Sequence, residues 1–317
     1  MSNSLLFDSR IKFYDLSTLV KQQRVPKSKT IQFYSAVNNI GNYTPILGIR
    51  KIIQTHPDTW NIHDKNIDFK FINENYTHAI IGGAGLLHPC FSSFWRKYAE
   101  ECRLPTVIWG VGICLPLYST GWEKEDKKKV RAVFSQADLV NVRDEITVDY
   151  FDIKNANIGP CPTIAYLSDF LTYKHPSKHL LYSFHDEILS SDKSEILYKQ
   201  IQTKTKSTVL RTDNIQYRFQ GIQKILKKLY CKSSLVVSTR LHGAIFAYGL
   251  GIPYIVFPVD NKIIDFQKIY KNGLIIGIEE FDNIKDLDAI CNNIKINEIR
   301  LDSVLNFGKL VKEWLTL

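Results

Sequence analysis

A strand–helix–strand pattern between residues 234 and 257 constrains the fold of this chain more than any other stretch. Ser234–Val237 is a short apolar run rich in β-branched residues, and Tyr254–Phe257 is a second apolar run. Between them, small and apolar residues recur at helical spacing over Ala244–Leu250. Gly251–Pro253 ends this helix, because glycine caps a helix C-terminus and proline cannot continue it. The pattern predicts two buried strands of an α/β sheet, joined by a helix.

Arg240 and His242 lie between the first of these strands and the helix. Ligands of α/β sheets bind at this position, because the N–H groups at a helix N-terminus attract anions. The two side chains could instead simply solvate the helix terminus. Because they flank a single residue inside an apolar unit, where water would solvate them poorly, we expect them to bind a ligand.

The motif S-x-R-x-H-G at Ser238–Gly243, followed by a small-residue helix and Gly251–Pro253, resembles that of the polysaccharide pyruvyl transferase family. Enzymes of this family transfer an enolpyruvyl-derived unit from phosphoenolpyruvate to a sugar of a surface glycan, forming a ketal. The resemblance implies an α/β fold with two Rossmann-like domains facing a central cleft, as in GT-B proteins. Glycosyltransferases with two such domains carry similar anion-binding turns, so the rest of the chain has to support the assignment.

An Asn/Gly turn follows the first predicted strand, Thr30–Tyr34, and precedes a helix predicted from Ile46 to about Gln54. Such a turn leaves backbone N–H groups free to bind a phosphate or a carboxylate. It resembles the family's N-x-G-D turn with Asn42 in place of the acid, which puts any role that needs a carboxylate there in doubt. We expect Asn39 and Asn42 to contact the acceptor, although an ordinary loop explains Asn42 equally well.

A glycine-rich turn, Gly82–His88, follows the predicted strand Thr77–Ile81. Its three glycines let the backbone approach a ligand closely, and family members carry a G-G-G-like turn at this position. The resemblance implies a donor contact at Gly83. We expect His88 to contact the acceptor, with an exposed loop histidine as the equal alternative.

Two further cations match family motifs, and the resemblance extends from about Gln32 to Asp265. Arg143 follows a predicted strand in the family's strand-then-R-D/E turn, which implies a position in the cleft. A local ion pair of Arg143 with Asp144 is the alternative. Lys262 follows the G-x-P strand as a lysine does in the family, although an exposed surface position is the default for any lysine.

The length of 317 residues and a hydrophobic content of 44% suit two α/β domains with a core each. A Pro/Gly-rich break at 157–163 is typical of an interdomain linker. We therefore predict an N-terminal Rossmann-like domain over residues 1–165 and a C-terminal one over 166–300. An amphipathic helix at 301–317 is predicted to pack back on the N-terminal domain.

Several kinds of site and location are not supported by the sequence. It lacks a phosphate-binding P-loop, an H-E-x-x-H zinc motif and a G-x-S-x-G elbow, and its six cysteines form no C-x-x-C pair. We expect no metal, no cofactor and no nucleic-acid partner. No signal peptide is present, and glycines and prolines break the uncharged stretches Leu104–Trp122 and Leu241–Val259, so we expect a soluble, cytoplasmic protein.

The chemistry of phosphoenolpyruvate suits these residues. Two arginines match its phosphate and its carboxylate by bidentate contacts, and a histidine can supply a proton near neutral pH. We predict His242 as the general acid and Arg240 and Arg143 as clamps on the donor and on the leaving phosphate. The predicted donor site comprises Gly83, Arg143, Arg240, Leu241, His242, Gly243 and Lys262, and the predicted acceptor contacts are Asn39, Asn42 and His88.

Two other function classes compete with this hypothesis. A glycosyltransferase that uses a nucleotide sugar would need a carboxylate for the base and ribose, and only Asp213 and Asp260 lie nearby in sequence. A binding module without activity is the third class, which the departures at Asn42 and Cys161 leave open.

The net charge of +9 fits a lipid pyrophosphate acceptor and peripheral contact with the inner membrane face.

Overall fold

The computed structural model describes residues 8–114, 121–175, 179–185, 189–270, 273–294, 296 and 298–317. Two parallel β-sheets organise this part of the chain. Residues 115–120 of the uncharged stretch Leu104–Trp122 lie outside the described residues.

The first sheet forms from the apolar runs of the N-terminal half. Its strands are β1 (Thr30–Tyr34), β2 (Asp58–Asn61), β3 (His78–Gly82), β4 (Thr106–Val111), β5 (Leu139–Val142) and β6 (Asn157–Ile158). They are arranged in the order β2-β1-β3-β4-β5-β6, and every neighbouring pair is parallel. Every residue of β1 and β4 is buried, as expected for strands that have helices on both faces.

The second sheet repeats this plan in the C-terminal half. Its strands are β7 (His179–Ser183), β8 (Thr208–Thr212), β9 (Ser233–Ser238), β10 (Tyr254–Val256) and β11 (Leu274–Ile275). Their order is β11-β10-β9-β7-β8, again with parallel pairs throughout. Counted within each sheet, the first strand lies between the second and the third in both. The prediction of two Rossmann-like units in a GT-B-like α/β fold is confirmed.

Helices connect the strands of both sheets. They are α1 (Ile40–Ile53), α2 (Phe69–Asn75), α3 (Ser92–Glu101), α4 (Lys124–Gln136), α5 (Glu145–Phe151), α6 (Thr163–Leu167), α7 (Ser191–Thr203), α8 (Ile222–Lys228), α9 (Leu241–Gly249), α10 (Asn261–Tyr270), α11 (Ile278–Phe281), α12 (Leu287–Asn293) and α13 (Leu301–Trp314). The 3₁₀ turns Leu16–Thr18 and Lys21–Gln23 occupy the N-terminal segment. No helix in the described ranges is both long and apolar enough to cross a bilayer.

Helix α1 begins earlier than predicted. It starts at Ile40 rather than at Ile46, so Asn42 lies in its first turn and not in a loop. The predicted start was wrong, because Pro45 lies inside the helix rather than in the turn before it. Asn39 caps the helix by accepting a hydrogen bond from Gly41 N at 2.9 Å, which stabilises the turn that precedes the proline.

A short turn precedes helix α8. Tyr217 and Gln220 form an antiparallel bridge, and Gly221 occupies the N-cap position, so the helix begins only at Ile222. Strand β2 was not predicted at all. Its Asp58 is buried and accepts hydrogen bonds from Lys27 N at 2.7 Å and from Tyr76 Oη at 2.9 Å.

The two halves share an apolar core and are also joined by hydrogen bonds, such as that from Ile40 N to Asn214 O at 2.8 Å. One hydrophobic cluster joins Ile40 and Ile46 of α1 to Leu181 of β7 and to the apolar residues of α9. Helix α13 packs against the first sheet, where the rings of Phe307 and Trp109 lie 5.2 Å apart. The domain limits at residues 165 and 300 stay predictions.

Candidate active site

A cavity of about 480 Å³ lies between the two sheets, a size typical of small-molecule sites. Its wall includes residues that follow the carboxyl ends of four strands, namely Ser35 after β1, Gly85 after β3, His185 after β7 and Arg240 after β9. In each sheet these two strands are the neighbours at which the strand order reverses. Ligands of doubly wound sheets bind at such points, and here two of them face one cavity.

Eight of the residues predicted from the sequence line this cavity. They are Asn39, Asn42, His88, Arg143, Arg240, Leu241, His242 and Lys262. Gly83 and Gly243 do not line it. Gly83 has a φ of +80°, and a Cβ there would lie 2.2 Å from Pro45 Cβ, so this glycine allows a backbone turn and close packing on α1.

Close packing at Gly243 positions the first turn of α9. A Cβ at this residue would lie 2.2 Å from Ser238 Oγ and 2.6 Å from Ser183 Oγ, so only glycine lets the helix approach β7 and β9 so closely. Ser238 Oγ also accepts a hydrogen bond from Arg240 N at 3.0 Å. Arg240 occupies the N-cap position of α9, and its Nε donates to Phe184 O. The motif thus holds Arg240 and His242 at the carboxyl edge of the second sheet, beside the cavity.

His242 is surrounded by cations and protein atoms. Burial, and then the positive charges of Arg143, Lys262 and Arg240, hold the pKa of its imidazole well below the usual range. Its Nε2 atom is buried and has no hydrogen-bond partner among the described residues. In the unliganded protein His242 is therefore neutral, with one ring nitrogen left for a ligand.

Arg143 extends from the end of β5 into the same cavity. It also forms the local ion pair with Asp144 that was the alternative to a position in the cleft. Its Nε lies 3.3 Å from Asp144 Oδ2, and its Nη2 donates to Ile113 O at 3.3 Å. Nη1 is buried without a partner among the described residues. Burial raises the pKa of Asp144 although the Arg143 charge acts in the opposite direction. Nε and Nη2 of the guanidinium are thus bonded to the protein, while Nη1 stays available to donate to an anion.

Lys262 is a buried cation of the cavity and not an exposed surface lysine. Its Nζ lies 2.6 Å from Asp260 Oδ2 and donates to Cys114 Sγ at 3.3 Å. Burial lowers the pKa of Lys262, but the neighbouring Cys114 and Asp260 more than reverse this effect, so the pKa is above its ordinary value. Lys262 is therefore charged at neutral pH.

Sequence reasoning missed part of the opposite wall of the cavity. Ser35 Oγ lies 2.9 Å from His63 Nε2, and the His63 ring meets the edge of Phe91 at 4.8 Å between centroids. Cys90 and Cys114 also line the cavity. His63 comes two residues after β2, so recognition of that strand would have provided the signal.

The buried state of His242 predicts a pH dependence of stability. Below its ordinary pKa of about 6.5, the unfolded chain binds a proton that the folded chain does not, so stability falls as the pH falls. From about pH 7.5 to about pH 5.5, one such histidine lowers the free energy of unfolding by about 1.4 kcal/mol. Denaturant unfolding at both pH values should show that this part of the change is missing in His242→Gln.

The matched control is His56→Gln, because His56 is exposed on the surface. It should retain the pH dependence of the unmodified protein. An equal pH dependence in His242→Gln and in the unmodified protein would contradict the assignment of a neutral, buried imidazole.

The sequence matches the family model for polysaccharide pyruvyl transferases over residues 22–261. No curated protein matches it. Among solved structures, the chain is similar to a putative UDP-N-acetylglucosamine 2-epimerase from Listeria monocytogenes, with 11% identity and a TM-score of 0.52. That alignment covers 88% of this chain and 90% of the other, and it concerns the fold alone.

Two other solved structures show lower structural similarity. A protein from Klebsiella pneumoniae of uncharacterized function is 16% identical, with a TM-score of 0.47 and coverage of 76% of this chain and 88% of the other. The wall teichoic acid polymerase TagF is 11% identical, with a TM-score of 0.47 and coverage of 91% and 90%.

Proposed function

This chain belongs to the polysaccharide pyruvyl transferase family, and from that premise we propose that it transfers a pyruvyl group from phosphoenolpyruvate to a sugar, as a ketal. The acceptor is a sugar of a bacterial surface polysaccharide or of its lipid-linked precursor. The observation that carries the proposal is the convergence of Arg143, Arg240, Lys262 and the partly buried His242 on one cavity.

The charges of the cavity fit a small, highly anionic donor. Two of its cations, Arg240 and Lys262, come from the second sheet and its helices, while Arg143 comes from the first. In phosphoenolpyruvate the phosphate is bonded through oxygen to C2, and the carboxylate is the neighbouring C1. Cations on both sides of the cavity can therefore hold the two anionic groups at once. We assign the donor to this cluster, where Leu241 shapes the wall beside it.

The proposed reaction starts with protonation of C3 of the donor by His242. The donor's negative charge opposes the effect of the three cations and raises the pKa of His242, so the imidazole gains its proton only once the donor is bound. A sugar hydroxyl then attacks C2 and gives its proton back to His242, and the phosphate leaves with its bridging oxygen, stabilised by Arg143 and Arg240. A second hydroxyl attacks C2, and its proton passes to the departing phosphate as the ketal closes.

We place the acceptor sugar at the opposite wall. Asn39, Asn42 and His88 line it, and the Ser35–His63 pair adds two more polar groups. Hydroxyl and amide groups of this kind match the hydrogen-bonding pattern of a sugar. The metal-free, cofactor-free reaction remains part of the proposal, as does action in the cytoplasm at the inner membrane face.

The competing use of a nucleotide sugar has less support. Asp213 and Asp260 are the carboxylates that the sequence offered for a ribose. Asp213 accepts hydrogen bonds from Tyr217 Oη and from Ile215 N, and Asp260 pairs with Lys262. Both carboxylates therefore already have protein partners. In the test below, nucleotide sugars are the alternative ligands to phosphoenolpyruvate.

We expect phosphoenolpyruvate to stabilise the protein against heat, because a ligand that binds only the folded state shifts the unfolding equilibrium. At a ligand concentration 100 times Kd, the gain is about 2.7 kcal/mol. Arg240→Ala should bind the donor about 10- to 100-fold more weakly, since a hydrogen bond to a charged group contributes about 1.5–3 kcal/mol. Thermal unfolding with and without the donor measures the first effect and calorimetric titration measures the second, both without added metal.

Arg211→Ala is the matched control, because Arg211 is a partly exposed arginine of the same half that pairs with Glu195 at 2.8 Å. It should bind the donor like the unmodified protein. Stabilisation by a nucleotide sugar, and none by phosphoenolpyruvate, would replace the proposed donor and leave His242 without its assigned role.

A further inference from the structure

Two aromatic side chains stand exposed beside the cavity. Tyr217 and Phe219 are 53% and 54% exposed, although aromatic rings of this size are usually buried. They belong to the turn that precedes α8. Ile215, two residues before Tyr217, lines the cavity and forms a bridge with Asn39 of the other half, so the exposed turn adjoins the cavity mouth.

Lysines of α8 lie next to this aromatic turn. Lys224 Nζ donates to Phe219 O at 3.0 Å, and Lys227 Nζ lies 4.0 Å from the centre of the Tyr173 ring, which is itself 45% exposed. We name this surface the basic–aromatic face, and its members are Tyr173, Tyr217, Arg218, Phe219, Lys224 and Lys228.

The charge of this face is predominantly positive, with the carboxylate of Asp213 at its edge, where it accepts a hydrogen bond from Tyr217 Oη. Residues 217–232 contain five Lys or Arg and no Asp or Glu. The lysines of α4 differ, because Lys128 pairs with Glu125 at 2.7 Å and Lys129 pairs with Glu100 at 2.8 Å. Cations that are not paired attract an anionic surface. Lys224 and Lys228 form no ion pair with a carboxylate of the described residues, whereas the lysines of α4 are neutralised locally.

We propose that the basic–aromatic face docks on an anionic lipid bilayer. Aromatic rings favour the membrane–water interface, and lysines and arginines close to anionic headgroups add electrostatic attraction. Tyr217 and Phe219 enter the headgroup layer, while Lys224 and Lys228 lie over the lipid phosphates. Docking in this way turns the cavity mouth toward an acceptor held on a lipid, and this part of the inference rests on the proposed function.

The test is co-sedimentation of the full chain with vesicles of phosphatidylcholine, alone or mixed with phosphatidylglycerol, at low and high salt. We expect binding to the mixed vesicles only, with loss at high salt. Lys224→Glu/Lys228→Glu should weaken it about 25-fold or more, because each lysine near an anionic surface contributes roughly fivefold. Tyr217→Ser/Phe219→Ser should also weaken it.

Lys128→Glu/Lys129→Glu changes the net charge equally at the neutralised helix and should retain binding. The single variant Lys228→Glu, at an exposed position, serves if the double variants do not fold. Calorimetric titration with phosphoenolpyruvate accompanies each variant, so failure of the donor assignment is seen separately from failure of docking.

Three outcomes would overturn the proposal. The first is no binding of the unmodified protein to mixed vesicles at low salt. The second is equal loss in the α4 control, which would indicate an effect of net charge alone. The third is a concentration-dependent dimer that the face variants abolish, because a second copy of the chain would then cover this surface.

Discussion

Replacing His242 by alanine should lower the rate of pyruvyl transfer by about 10²- to 10⁴-fold, the usual contribution of a general acid. Its imidazole is partly buried near three cations, and its buried Nε2 lacks a partner within the described residues. The donor's phosphate and carboxylate still meet Arg143, Arg240 and Lys262, so donor affinity should change little. Steady-state rates with an acceptor and titration with phosphoenolpyruvate separate the two quantities.

The proton balance of donor binding provides an independent check on His242. If the anionic donor raises the pKa of the imidazole, the unmodified protein takes up more protons on binding than His242→Gln does. Titrations in buffers of different ionisation enthalpy measure this difference. Full activity in His242→Ala would refute the role, and equal proton uptake would show that the donor does not protonate this residue.

Removing the carboxylate of Asp144 should cost about 3–5 kcal/mol in the free energy of unfolding, because it leaves a buried guanidinium unpaired. Arg143 and Asp144 are both almost fully buried. The same carboxylate accepts hydrogen bonds from Thr147 N, at 3.1 Å, and from Thr147 Oγ1, so the cap of α5 is lost as well. Denaturant unfolding of Asp144→Ala measures the cost.

The double variant Arg143→Met/Asp144→Ala separates the charge from the cap. It should recover much of the lost stability, since no buried charge is left unpaired, but it should bind phosphoenolpyruvate poorly. A loss of about 1 kcal/mol or less in Asp144→Ala would contradict the prediction, because exposed ion pairs have effects of that size.

The architecture of the site could be predicted because its strands are apolar runs that end in distinctive turns. The short runs before Arg143 and Arg240 are rich in valine, so their ends, and the residues that follow them, could be located from the sequence. Each arginine was therefore expected at the carboxyl edge of its own sheet, facing the cleft between the two sheets, and both line the cavity.

Other parts of the site depend on contacts that a sequence does not reveal. Strand β2 is polar, and its Asp58 is stabilised by Lys27 and Tyr76, which are distant in sequence. The position of His63 after that strand was therefore missed. Gly83 and Gly243 were expected in the donor site, but the groups that lie close to their backbone belong to the protein. Their partners are Pro45, and Ser183 and Ser238, within the protein itself.

The shared core between the two halves also has a consequence for biosynthesis. Ile40 and Ile46 pack in one cluster with residues of β7 and α9, so the N-terminal half cannot complete its core alone. During synthesis this half leaves the ribosome with an apolar face of α1 exposed until the later segments arrive. The core that these segments share can be completed only after α9 has been made, and until then the nascent chain exposes apolar surface that favours aggregation.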